Sequence, residues 1–248
     1  MPDPYELAPE PISPDLPGEV VVSATEDDLI DAAAADLFMQ AVNCVRMFGD
    51  FHLALTGGRL QEKLCIRLMV DPKFRSLPWT RTQLWVASEG RVGDEPGGRQ
   101  IVDEVLRDHA GIPRAQIHLM PTGEDGPEAY EKELLEALGW RERGQDRLDF
   151  VLAGMDSDGS VSGIGVGEDL CGGRAVTVYR GGLRGDRMSM TPWFLSGVRF
   201  LALLVGGEQQ RDVVAKVVRE RSGSGLLTDT RPLAGVCRWY LDRAAAGV

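Results

Sequence analysis

Histidine and cysteine, the side chains that most often build metal centres and nucleophilic dyads, are scarce: three and four in 248 residues. Cys44, Cys65, Cys171 and Cys237 stand far apart and form no CxxC pair, which argues against a zinc site and for reduced, buried thiols. His52 lies in an apolar run, and His109 and His118 flank "AGIPRAQI" at a spacing that puts no two on one helical face, so no metal is expected. Basic residues form no block. With 27 of them against 38 acids the net charge is −11, which argues against a nucleic-acid partner. No apolar run approaches the roughly 20 residues a bilayer span needs, and "MPDPYELAPEPISPDLPGE" is neither basic nor apolar enough for a leader. The expectation is a cytoplasmic protein with a small-molecule ligand and no membrane partner, a monomer or weak homo-oligomer.

What is present is a full core and a regular alternation. Hydrophobic residues make up 43% of the chain, enough for a single large domain. Residues 1–18 hold six prolines and four acids and offer nothing to bury, so an extended arm, which could still pack on the domain, is expected before a domain over 19–248. "EVVVSA" reads as a strand; "TEDDLIDAAAADLFMQAVNCVRMFG" starts with a threonine cap and acids and continues with helical spacing; "FHLALT" is a second strand. The alternation continues through helices at Leu60–Val70, Arg99–Ala110, Pro127–Leu138 and Gln209–Arg221, with strands "TQLWVAS", "IHLMP", "RLDFVLAG", "RAVTVYR" and "FLALLVGG" between them and an amphipathic tail over Leu233–Ala246. This predicts a doubly wound, Rossmann-like α/β domain with a mostly parallel sheet and helices on both faces. Its ligand would bind beyond the carboxyl ends of the strands, which directs attention to the loops Thr56–Leu60, Ser88–Arg99 and Gly154–Gly167.

In "ALTGGRL", two glycines between strand and helix let backbone amides converge on an anion, with Thr56 and Arg59 as side-chain donors. The loop fits neither the Walker A pattern nor GxGxxG. "VLAGMDSDGSVSGIGVG" suggests other motifs that fail on counting. A calcium loop begun at Asp156 would need glycine at Val161 and glutamate at Gly167. Ser160 and Ser162 lack a Gly-x-Ser-x-Gly register, and "GIGVG" is not followed by a helix pattern. No cofactor is implied.

Read together, these segments resemble the 6-phosphogluconolactonase family, which shares its fold with glucosamine-6-phosphate isomerase/deaminase. "FHLALTGGRLQEKLCIRLMVDP" is similar to the family's "ALSGGSTP…LY..L", "HAGIPRAQIHLMPTGEDGPEAYEKEL" to "IPxxxIHxxP…AAxxYExEL", and "LDFVLAGMDSDGSVSGIGVG" to "FDLVLLGMGxDGHTASLFPG". "DRMSMTPWFLSGVRFLALLVGGEQQRDVV" and "WYLDRAAA" follow its C-terminal pattern "RxTLT…FLVxGxxK" and "WxLDxxAA". The likeness runs from about Val20 to Ala246.

The departures fall where the chemistry belongs. The family's histidine after Asp-Gly is Ser160 here, and its "DER" triplet reads Ser88-Glu89-Gly90, with Arg91 one position on. Its "SN" reads Arg99-Gln100, its phosphate-loop serine is Arg59, and the lysine of "GxxK" falls near Gln210 or Arg211. The resemblance implies opening of 6-phosphoglucono-δ-lactone, with Thr56, Gly57, Gly58, Arg59 and Arg187 holding the sugar phosphate and Arg91, Gly159 and Ser160 in the same site. Without the histidine, Asp158 and Glu89 are the candidate bases for the attacking water. A second reading is a paralogue that binds a sugar phosphate or a protein partner without turnover. The isomerase/deaminase branch fits less well, since it too relies on a histidine in the "DGH" loop.

Overall fold

The structure, a computed structural model, describes residues 13–89, 96–121, 125–156, 159, 161, 164, 173–179, 187–219 and 232–248. Strand β1 (Glu19–Ser23) leads to helix α1 (Glu26–Phe48), whose start is set by a reciprocal cap. The Thr25 Oγ1 accepts from the Asp28 amide at 3.2 Å, and Asp28 Oδ2 accepts from the Thr25 amide at 3.1 Å. Leu29, Ile30, Ala33, Leu37 and Ala41 then bury one face of the helix, and Gly49, at φ 91°, ends it. The chain continues through β2 (Phe51–Leu55), α2 (Arg59–Val70), β3 (Thr82–Val86), β4 (Ser88–Glu89), α3 (Gly98–Ile101), β5 (Ile117–His118), α4 (Gly126–Leu138) and β6 (Phe150–Gly154). After β7 (Val176–Tyr179), β8 (Arg187–Met190) and α5 (Pro192–Leu195) come β9 (Phe200–Val205), α6 (Arg211–Arg219), β10 (Val236–Asp242) and α7 (Arg243–Ala246).

Seven strands form one parallel sheet in the order β1-β10-β9-β6-β2-β3-β5. Every residue of β2, β6 and β9 is buried, as a central parallel strand covered on both faces requires. A second, antiparallel sheet, β4-β8-β7, leaves the main one at the end of β3.

The structure fills in two expectations and changes one, the helix over Arg99–Ala110. The tail over Leu233–Ala246 is mostly a strand: "VCRWYLD" pairs with β9 on one side and β1 on the other, and only Arg243–Ala246 is helical. The helix expected over Arg99–Ala110 is α for Gly98–Ile101 and widens to a π turn over Val102–Leu106. Residues 13–18 pack on the domain. Leu16 is 3% exposed within the core, and the Trp239 indole donates to the Pro17 carbonyl at 3.0 Å. A buried indole N–H needs a partner, and this segment supplies it.

The amino end of the sheet carries a dense polar network. Asp50, Asp149 and Arg199 are the residues just before β2, β6 and β9. Arg141, nearly enclosed, reaches Asp50 Oδ1 at 2.6 Å and Asp149 Oδ2 at 2.8 Å, while Arg199 Nε meets Asp149 Oδ1 at 3.0 Å. Burial alone would raise the Asp50 carboxyl, but hydrogen bonds from His52 and Arg141 outweigh it and hold it below the ordinary aspartate value. His52 Nδ1 accepts from the Trp85 indole at 3.2 Å, leaving the hydrogen on Nε2 for Asp50 at 2.9 Å. Trp85 stacks on His118 at 3.7 Å, and the two nitrogens of His118 meet Glu133 at 2.6 Å and Gln83 at 2.8 Å. Two of the three histidines are thereby committed to the core.

Candidate active site

The order of the sheet reverses between β2 and β6: from β2 the chain winds outward to β3 and β5, then returns to β6 on the other side. Such a switch point opens a crevice at the carboxyl ends of the two strands. The Thr56–Gly58 turn leaves β2 there, Met155 and Asp156 leave β6, and Gly206 and Gly207 leave β9.

Close packing dictates the glycines of the first turn. A Cβ on Gly57 would lie 2.4 Å from the Pro96 carbonyl oxygen; Gly58, at φ 133°, would meet Gln61 Oε1 at 2.3 Å. The Gly58 amide donates to that Pro96 oxygen at 2.8 Å. Thr56 is fully buried, its hydroxyl donating to the Gly57 carbonyl at 3.1 Å. Arg59 points away from the turn: its two terminal nitrogens hold both oxygens of Glu26 at 2.7 Å. That pairing, against burial and with help from Lys63, holds the Glu26 carboxyl at about 2.

Glu89 lies just past β3. Its Oε2 accepts from the Arg99 amide at 3.1 Å, where α3 begins, and the Arg99 guanidinium donates to the Met120 carbonyl at 2.5 Å. Burial raises the Glu89 carboxyl above the ordinary glutamate value, opposed by the Arg99 hydrogen bond and charge. A half-buried carboxylate at the open end of a strand, with its proton affinity raised, can take a proton from water. The pairing of β4 with β8 sets Met188 opposite Glu89, so Arg187 stands one position beyond. Arg187 lies over the Tyr179 ring at 5.9 Å and reaches the Ile164 carbonyl at 3.5 Å, while its Nε finds no partner.

The structure thus sets Gly57, Gly58 and the Glu89 segment around one strand-end region, since the 96–99 segment packs on the first turn and bonds Glu89. Arg187 joins the small sheet beside Glu89, and Arg59 is drawn off to α1. Gly159, at φ 91°, packs 3.3 Å from Val217 of α6 as measured from a Cβ built on it. Asp158, Ser160 and Arg91 lie outside the described residues. Two residues of this region have no place in the sequence-based site: Arg99, which orients Glu89, and Gln61, 2% exposed beneath the turn. The signal for Gln61 was the glycine at both 58 and 154, each leaving space that its carboxamide fills. Among the described residues no group of three or more His, Cys, Asp or Glu side chains could hold a metal, and no helix is long and apolar enough to cross a membrane. Burial pushes the Cys44 and Cys65 thiols up to about 12, so neither is a ready nucleophile.

A doubly wound parallel sheet with glycine turns at its switch point places the chain among α/β proteins whose strand ends are the expected ligand site. The family described as "Glucosamine-6-phosphate isomerases/6-phosphogluconolactonase" matches residues 24–239, and the chain belongs to that family. It is 30% identical over 245 residues to the GDH/6PGL endoplasmic bifunctional protein of Oryctolagus cuniculus, covering 91% of this chain but 29% of that one. To the 6-phosphogluconolactonase of Streptomyces coelicolor it is 27% identical over 252 residues, covering 92% and 93%. The solved structure of 6-phosphogluconolactonase from Trypanosoma cruzi shares the fold, with a TM-score of 0.75 at 20% identity over 95% of this chain and 98% of that one.

Proposed function

We propose that the chain is a lactone hydrolase of the 6-phosphogluconolactonase kind, opening 6-phosphoglucono-δ-lactone to 6-phosphogluconate. The family membership and the end-to-end likeness to the Streptomyces protein support the reaction class. The observation that carries the chemistry is Glu89, half-buried at the carboxyl end of β3 with its proton affinity raised. In the proposed step Glu89 takes a proton as water oxygen bonds to the ring carbonyl carbon, giving a tetrahedral oxyanion. The ring C–O bond then breaks and the leaving oxygen recovers the proton from Glu89. Arg187, on the neighbouring strand β8, is the cation offered to the anionic intermediate, and the Arg99 amide keeps Glu89 in place. Asp158 is the other candidate base.

The test is a coupled assay on freshly made 6-phosphoglucono-δ-lactone, with wild type, Glu89→Gln, Asp158→Asn and Ser160→His measured against the spontaneous rate. Hydrolysis above background that Glu89→Gln removes supports the reading. A wild-type rate equal to the spontaneous one rejects turnover and leaves a binding protein.

A further inference from the structure

A small pocket of about 60 Å³ opens between the start of α2 and the ends of β6 and β9, lined by Gly58, Arg59, Gln61, Gly154, Gly206 and Gln210 among others. It is polar, and it holds two unsatisfied groups that are opposite in kind. Gln61, 2% exposed, has an Nε2 donor with no partner, and Gln210 has a shielded Oε1 acceptor with none. Gln210 Nε2 faces the Met155 carbonyl at 3.5 Å, which fixes its amide with the oxygen turned the other way. Buried polar atoms are rarely left unpaired. A donor and an acceptor in one pocket match a group that both accepts and gives a hydrogen bond, and an alcohol hydroxyl is such a group.

Charge points the same way. The one cationic residue among the described lining, Arg59, is neutralised by Glu26, both of whose oxygens it holds. Two carboxylates stand behind the pocket wall: Asp242 Oδ2 and Glu26 Oε2 lie 3.3 and 3.7 Å from a Cβ built on Gly206. The first turn of α2 favours an anion only weakly. A phosphate dianion here would face an unpaired carboxamide oxygen and the Asp242 carboxylate, while Arg59 and Lys63 are both already paired with Glu26.

We propose that this pocket reads a neutral, hydroxyl-bearing end of the ligand, so that the protein takes an unphosphorylated sugar δ-lactone as readily as its 6-phosphate; this rests on the lactone-hydrolase reading above. The measurement is titration calorimetry with D-gluconate and with 6-phosphogluconate, which differ only in the phosphate. Wild type is expected to bind the two within about threefold. Gln210→Lys, which adds a cation, tightens 6-phosphogluconate by about tenfold or more and leaves gluconate nearly unchanged. Gln61→Met, which keeps the volume and removes the donor, weakens gluconate by up to about tenfold. Binding of 6-phosphogluconate by wild type more than about tenfold tighter than gluconate, or of neither, overturns the proposal. Hydrolysis of both lactones is followed in parallel. If neither is opened above the spontaneous rate, the hydrolase reading falls, and the calorimetric ratio still decides what the pocket reads.

Discussion

The two ends of the central sheet use polar residues in opposite ways. At the amino end, Arg141, Asp50, Asp149, Arg199, His52 and Trp85 are bonded to one another, and almost every donor finds an acceptor. At the carboxyl end, Gln61 Nε2, Gln210 Oε1 and Arg187 Nε are buried without partners, and Glu89 carries a raised pKa. Arg147 Nε is the exception at the lower end. The amino-end network uses its hydrogen-bonding capacity within the fold, whereas the carboxyl end keeps unpaired groups with capacity to bond a ligand.

The strongest test of that contrast is Arg141→Met. It removes the cation shared by two buried carboxylates, leaving Asp149 with Arg199 and Asp50 with only the neutral His52, and urea unfolding should show a loss of about 3–5 kcal/mol. A loss under about 1 kcal/mol would mean the lower network is not what holds the domain. Glu89→Gln should do the reverse. Lactone hydrolysis should fall by at least about a hundredfold, while stability at neutral pH should rise slightly. The sign follows from linkage: a carboxyl raised on folding contributes stability below its unfolded value, and that contribution is lost as pH rises through the folded value. An uncharged glutamine avoids this loss, so its advantage should vanish below the ordinary glutamate value of 4.5. For the same reason the wild-type rate should decline on the acid side with an inflection above 4.5. Gly58→Ala comes next, costing about 1–3 kcal/mol because φ 133° strains an alanine, and it should displace Gln61 and weaken gluconate binding.

The smallest effect belongs to His118. Burial lowers its pKa, against the pull of Glu133, so its contribution to stability is present above the ordinary histidine value of 6.5 and is lost as pH falls below it. His118→Gln should flatten that acid slope in thermal melts and leave lactone hydrolysis nearly unchanged. A fall in hydrolysis comparable to that of Glu89→Gln would place His118 in the chemistry.

The fold was largely legible because central parallel strands are short apolar runs between capped helices, and "FHLAL" and "FVLAG" look like nothing else. "VCRWYLD" was harder. Val236, Trp239 and Tyr240 fall at i, i+3 and i+4, which imitates a helix face, although its aromatic content favours a strand. The antiparallel pairing of β4 with β8 joins residues about 100 apart and leaves no local trace. The family motif points to Glu89, but its partner Arg99 shows in the sequence only as a departure from "SN". Gln61 carries no charge and sits where the helix pattern asks merely for a helix former. That Arg59 would be captured by Glu26, 33 residues earlier, depends on how α1 lies against α2.

The position of β10 has a consequence for how the protein is made. It lies between β9 and β1, so the first strand of the sheet has no neighbour until the last has left the ribosome. Until then the wholly apolar "FLALLV" of β9 is an open edge, available to any other chain. Synthesis interrupted after about residue 235 should therefore yield aggregates rather than a smaller folded domain.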